Sequence, residues 1–101
     1  MVQTSTRTVL VTNSHGLHVR PCLAIVNLSR QYRAAITLRS KGQSASAARI
    51  LELMSLGAAQ GTELTLSAEG PDAEQALEAL ATLFAHEFEI VYKDSPASNC
   101  R

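Results

Sequence analysis

Tryptophan is absent, and aromatic residues make up only 4% of the 101 residues. The stacking surface that single-strand-binding sheets use is therefore nearly missing, which argues against a nucleic-acid binder. Two cysteines are too few for a disulfide scaffold. No apolar run approaches the roughly 18 residues of a membrane span, so no membrane insertion is expected. The N-terminus lacks a basic segment followed by a long apolar stretch, so no signal peptide is visible. The expectation is a cytoplasmic protein with reduced thiols. Acids are absent from residues 1–51, which carry Arg7, Arg20, Arg30, Arg33, Arg39, Lys41 and Arg49. The second half holds all nine acids against Lys93 and Arg101, so a formal net charge of zero conceals a split of +7 and −7. The basic half either steers toward a phosphate or an acidic partner, or interleaves with the acidic half in space.

What is present is aliphatic. Hydrophobic residues make up 46% of the chain, enough for one core but not two. Residues 6–12 are rich in β-branched side chains and read as a strand. Asn13-Ser14-His15-Gly16 is a turn. From His18 to about Gln31 the spacing is helical, with Pro21 in the first turn and Cys22, Ile25, Val26 and Ser29 on an inward stripe. Residues 34–40 alternate as a second strand, Lys41-Gly42 turns the chain, and 43–47 pair back as a short third strand. A short helix is expected from Ala48 to Leu56, stopped by Gly57. Residues 62–68 alternate as a fourth strand. Asp72 is the expected N-cap of a last helix over about 72–88, with Ala73, Ala76, Leu77, Leu80, Leu83, Phe84 and Phe88 on one stripe. Residues 90–92 could add a strand. The order β-α-β-β-α-β-α predicts an α+β open-faced β-sandwich: a four-stranded, mostly antiparallel sheet covered on one face by three helices.

The chemistry concentrates at the start of the first helix. His18 stands beside free helix N–H groups, which favour an anion. Arg20 offers a planar fork of donors suited to phosphate oxygens. An imidazole is partly unprotonated near neutral pH and can carry a phosphoryl group on a ring nitrogen. His15, His18 and Cys22 also form an H-x2-H-x3-C set. A tetrahedral structural metal needs a fourth ligand and Cys22 lies on the inward stripe, so no metal or other cofactor is expected.

Gly16-Leu17-His18-Val19-Arg20-Pro21 resembles the phosphohistidine signature of HPr, the phosphocarrier family of the bacterial sugar phosphotransferase system. Leu51 to Gly57 is similar to that family's short-helix motif, and Gln43–Ala47 and Gly70-Pro71-Asp72-Ala73 match in order and spacing. The likeness covers about residues 5–88 and implies the same open-faced fold. By that resemblance, residues 1–88 form the phosphocarrier domain and 89–101 a flexible extension. The protein would be a phosphoryl carrier rather than an enzyme. His18 would accept the phosphoryl group on Nδ1 from phosphorylated enzyme I, supported by Arg20 and the backbone amides of Val19 and Arg20. It would then pass the group to EIIA-type proteins. Leu17, Val19, Ile50, Leu51 and Met54 would form the apolar part of the docking face, with Arg30 and Arg49 among its cations. A monomer is expected. Two alternatives share the fold: a nitrogen-branch phosphocarrier, and a regulatory protein that controls partners through its phosphorylation state.

The sequence departs from the family pattern at a few positions. Arg49 stands where many Gram-positive members carry a regulatory serine, so no regulatory serine is expected here. Cys22 reads as a small core residue. His15 holds a turn position often occupied by Ser or Asn. His86 reads as a surface residue and Cys100 as an incidental tail thiol.

Overall fold

The computed structural model describes residues 4–86. Seven elements follow in the order expected: β1 (Thr4–Leu10), α1 (Val19–Ser29), β2 (Ala35–Ser40), β3 (Gln43–Ser46), α2 (Ile50–Ser55), β4 (Glu63–Glu69) and α3 (Ala73–Ala85). The four strands form one sheet in the order β1-β4-β2-β3. Every neighbouring pair is antiparallel. Phe88, the 90–92 strand candidate and the 89–101 segment with Cys100 lie outside the described residues.

Alternation explains the one-sided core. Leu64, Leu66 and Ala68 of β4 and Ile36 and Leu38 of β2 are buried, while their outward neighbours are not. The three helices supply the opposite wall. Cys22, Ile25, Val26 and Ser29 are the buried stripe of α1, and Ala73, Ala76, Leu77, Leu80 and Phe84 that of α3. The α1 stripe is the one the spacing predicts, and on α3 the expected Leu83 is only partly buried at the edge of the stripe. Each fully buried Leu or Phe contributes about 1.5–3 kcal/mol relative to exposure.

The first strand runs two residues earlier than its composition suggests. Val11 leaves the sheet yet stays fully buried. Its N–H donates to the Thr62 carbonyl at 2.9 Å and its carbonyl accepts from Gly61 N–H at 2.7 Å, which ties the strand end to the 57–62 loop. The β2–β3 turn matches expectation: Lys41 and Gly42 both have positive φ, the pattern of a tight hairpin turn.

Asp72 occupies the N-cap position of α3 without capping it by its side chain. Its carboxylate instead accepts the Arg33 N–H at 2.8 Å, and its own N–H donates to the Arg33 carbonyl at 3.2 Å. The residue expected as a local cap is thus a long-range clasp between the α1–β2 connection and α3.

The charge split partly interleaves. Strand β4, from the acidic half, lies between β1 and β2 from the basic half. On the helical side the segregation persists apart from Glu52 of α2. Arg20, Arg30 and Arg49 are exposed on α1 and at the start of α2, while Glu74 and Glu78 are exposed on α3.

Candidate functional site

The turn between β1 and α1 is held from several directions. Gly16 N–H donates to the Asn13 carbonyl at 3.1 Å, and Asn13 Nδ2 donates to the Gly16 carbonyl at 2.5 Å. Leu17 N–H donates to the Ala58 carbonyl at 2.9 Å. Gly16 has φ +64, and a Cβ there would collide with the Ala58 carbonyl oxygen. Only glycine meets both demands cheaply.

This clamp delivers His18 to the N-cap of α1. Its backbone is extended (φ −96, ψ −166), its side chain makes no capping hydrogen bond and its imidazole is exposed. No acid lies in the first turn. Cys22 N–H is the first helical donor to close, onto the His18 carbonyl at 3.2 Å. Pro21 has no N–H. The Val19 and Arg20 amides are therefore left without a protein acceptor among the described residues. Two free donors at the positive end of a helix dipole, with an exposed guanidinium on Arg20, suit a phosphoryl group.

The rim is apolar and exposed. Val19 is 49% exposed, Leu51 77% and Met54 37%, while Ile50 is half-buried. Leu51 and Met54 are on α2, which lies beside α1. Leu23, 46% exposed and one turn beyond Val19, belongs to this rim although sequence reasoning missed it. An apolar residue in register with Val19 but off the buried stripe was the signal available.

Three expected docking residues stand differently. Leu17 is only 6% exposed and belongs to the core, because the bond of its amide to Ala58 turns it inward. Arg30 is the C-cap of α1, an 11-residue helix, so it sits about 18 Å along the axis from His18. The structure does not bring it to the site. Arg49 is exposed at the N-cap of α2, but its Nε lies 3.7 Å from Glu52 Oε2. Glu52, unremarked in the sequence, also accepts the Ser46 N–H at 2.9 Å through Oε1. Its position three residues after an N-cap is the spacing of a carboxylate that reaches back to a helix start.

Cys22 points inward. It is fully buried, its Sγ contacts the Leu17 carbonyl at 3.8 Å, and burial pushes its thiol up to about 11. Among the described residues no group of three His, Cys, Asp or Glu side chains is placed to hold a metal ion.

Residues 5–86 match the family model described as the PTS HPr component phosphorylation site. The chain belongs to the HPr phosphocarrier family. It is 44% identical over 75 residues to the phosphocarrier protein HPr of Vibrio cholerae serotype O1, covering 74% of this chain and 88% of the relative. Among solved structures, HPr-C-His from Thermoanaerobacter tengcongensis superposes with a TM-score of 0.80 at 34% identity, covering 86% of this chain and 99% of that one. The HPr of Bacillus anthracis gives 0.74 at 35% identity, covering 78% and 94%. HPr proteins are phosphocarriers of the phosphotransferase system and not enzymes. Among the described residues no helix is long and apolar enough to cross a membrane.

Proposed function

We propose that this HPr accepts a phosphoryl group on His18 Nδ1 from phosphorylated enzyme I and passes it to EIIA-type proteins of a sugar transport system. The observation that carries the reading is the exposed imidazole of His18 beside the two unpartnered amides of Val19 and Arg20, within an apolar rim. In each transfer one P–donor bond breaks as one P–N bond forms, so the carrier gains and loses one phosphoryl group without net chemistry of its own. Arg20 pairs with the phosphoryl oxygens while charge moves. Val19, Leu23, Leu51 and Met54, with the half-buried Ile50, form the docking surface. Apolar anchors with a charged rim suit a transient encounter, in which electrostatics sets the on-rate more than the affinity. The carrier acts as a cytoplasmic monomer, with residues 1–88 as its phosphocarrier domain.

Incubation with enzyme I and labelled phosphoenolpyruvate tests the assignment. The expected result is acid-labile, base-stable label on the wild type and none on His18→Ala, with both proteins melting alike. Label retained by His18→Ala would refute the acceptor.

A further inference from the structure

Two imidazoles stand at the start of α1. The His15 and His18 ring centroids are 5.8 Å apart, with the ring planes at 89° in an edge-to-face arrangement. Both side chains are exposed. The backbone beneath the two rings is held, because His15 sits inside the turn that Asn13, Gly16 and Ala58 clamp. The phosphocarrier role as described so far gives His15 nothing to do.

The surroundings of His15 are otherwise quiet in charge. The 57–62 loop that packs on the turn contains no ionisable side chain. The first turn of α1 brings Arg20, which stays charged, and the Cys22 thiol, which stays neutral near neutral pH. The acid of α2, Glu52, is engaged with Arg49 and the Ser46 amide. The imidazoles are thus the side chains of this corner whose type changes charge between pH 5 and 8.

We propose that His15 is a positioning residue for the phosphoryl group on His18, its protonated ring donating an N–H to a phosphoryl oxygen and favouring the phosphorylated carrier at mildly acidic pH. The inference rests on His18 being the acceptor. A phosphoryl group adds up to two negative charges beside a ring whose centroid lies 5.8 Å from that of its carrier. By reciprocity, whatever factor the phosphoryl group adds to proton binding at His15, a proton on His15 adds to phosphoryl binding at His18. At the dielectric of bulk water and this distance, one to two negative charges give a factor of about three- to tenfold. The acceptor and its charge sensor are then neighbours on one turn, and the transfer equilibrium follows pH without any change of fold.

The test uses the full chain with enzyme I and phosphoenolpyruvate, with the phosphoryl equilibrium between enzyme I and the carrier measured from pH 5.5 to 8.5. Wild type, His15→Asn and His15→Lys are compared. The expected wild-type equilibrium constant equals that of His15→Asn at pH 8.5 and exceeds it about three- to tenfold at pH 5.5. His15→Lys, a permanent cation, should hold the higher value relative to His15→Asn across the whole range. Nitrogen-15 spectra of the side chains should show the His15 titration moving to higher pH when His18 is phosphorylated. A wild-type to His15→Asn ratio that stays flat with pH, while His18 still takes label, overturns the role of His15 and leaves the acceptor standing. Label on His15 instead, or none on the protein, overturns both.

Discussion

Substituting Gly16 by alanine should damage fold and site together, and by an amount the geometry sets. Gly16 has φ +64, a conformation that costs an L-residue about 1–2 kcal/mol. An added Cβ also meets the Ala58 carbonyl oxygen and the Ala59 Cα, both backbone, so no side chain can swing away. The 57–62 loop must retreat, which breaks the Leu17–Ala58 hydrogen bond and costs about 1 kcal/mol more. The expected total is about 2–3 kcal/mol, or roughly 10–20 °C in melting temperature for a domain of this size. Gly57→Ala is the control, since Gly57 has φ +59 but nothing within 4 Å of its virtual Cβ. It should lose about 1–2 kcal/mol from conformation alone. Thermal melts give the difference, and uptake of label from enzyme I, measured well below both midpoints, gives the functional effect. Gly16→Ala should accept phosphate slowly while folded, whereas Gly57→Ala should not. Equal melting losses for the two variants would show that the close approach to Ala58 is not what holds the turn.

Two leucines of α2 on opposite faces should behave oppositely. Leu53→Ala, at a fully buried site, should lose about 2–5 kcal/mol in denaturant unfolding. Leu51→Glu should change stability by less than about 0.5 kcal/mol yet raise the KM of enzyme I for this carrier. A stable Leu53→Ala or an unchanged KM would count against the packing or the docking face, respectively. For Cys22, a thiol raised from 9.0 to about 11 by burial is protonated in both folded and unfolded chains below pH 9. Between pH 9 and 11 the unfolded thiol ionises first, so the folded state should lose stability as pH rises through that window. The loss should be smaller in Cys22→Ala, and equal slopes for the two proteins would refute the assignment. Arg49→Ser should slow association with enzyme I only modestly, because Glu52 already offsets the guanidinium. The same change in a Glu52→Gln background should slow it more at low salt, and identical effects in both backgrounds would show the pair to be uncoupled in solution.

The parts of this fold legible in the sequence are those governed by period. The 2-residue alternation of 62–68 and the 3.6-residue stripe from Cys22 to Ser29 each name their buried face correctly, since one side chain in two, or one stripe per helix, must meet the core. His18 stands out as a candidate for a different reason: a histidine, an arginine and a proline cluster within four residues at a turn-to-helix boundary. What stayed hidden depends on which loop meets which. Leu17 looks like any residue flanking an exposed histidine until the bond of its amide to Ala58, 41 positions away in the chain, turns it inward. Asp72 carries every local mark of an N-cap, and only the arrival of Arg33 redirects its carboxylate. Glu52 and Leu23 follow the same logic. Their spacing was visible, but their role depends on where β3 ends and on how α1 and α2 share a surface.

Phosphorylation of His18 would tie the unfinished first turn of α1 to the folding equilibrium. His18 gives its helix no side-chain cap, and Pro21 removes one of the amides that would need one. A phosphoryl group held by the Val19 and Arg20 amides would therefore supply the missing cap and act as a ligand that only the native state can grip. Mass-action linkage would then apply within a single chain: loading the carrier would make it harder to unfold, and unfolding it would release the hold on the phosphoryl group. The Val19 and Arg20 amides point together only when α1 forms. A chain caught partly unfolded would consequently have an intact histidine and a poor grip, and fidelity of transfer would be secured by the folding reaction itself.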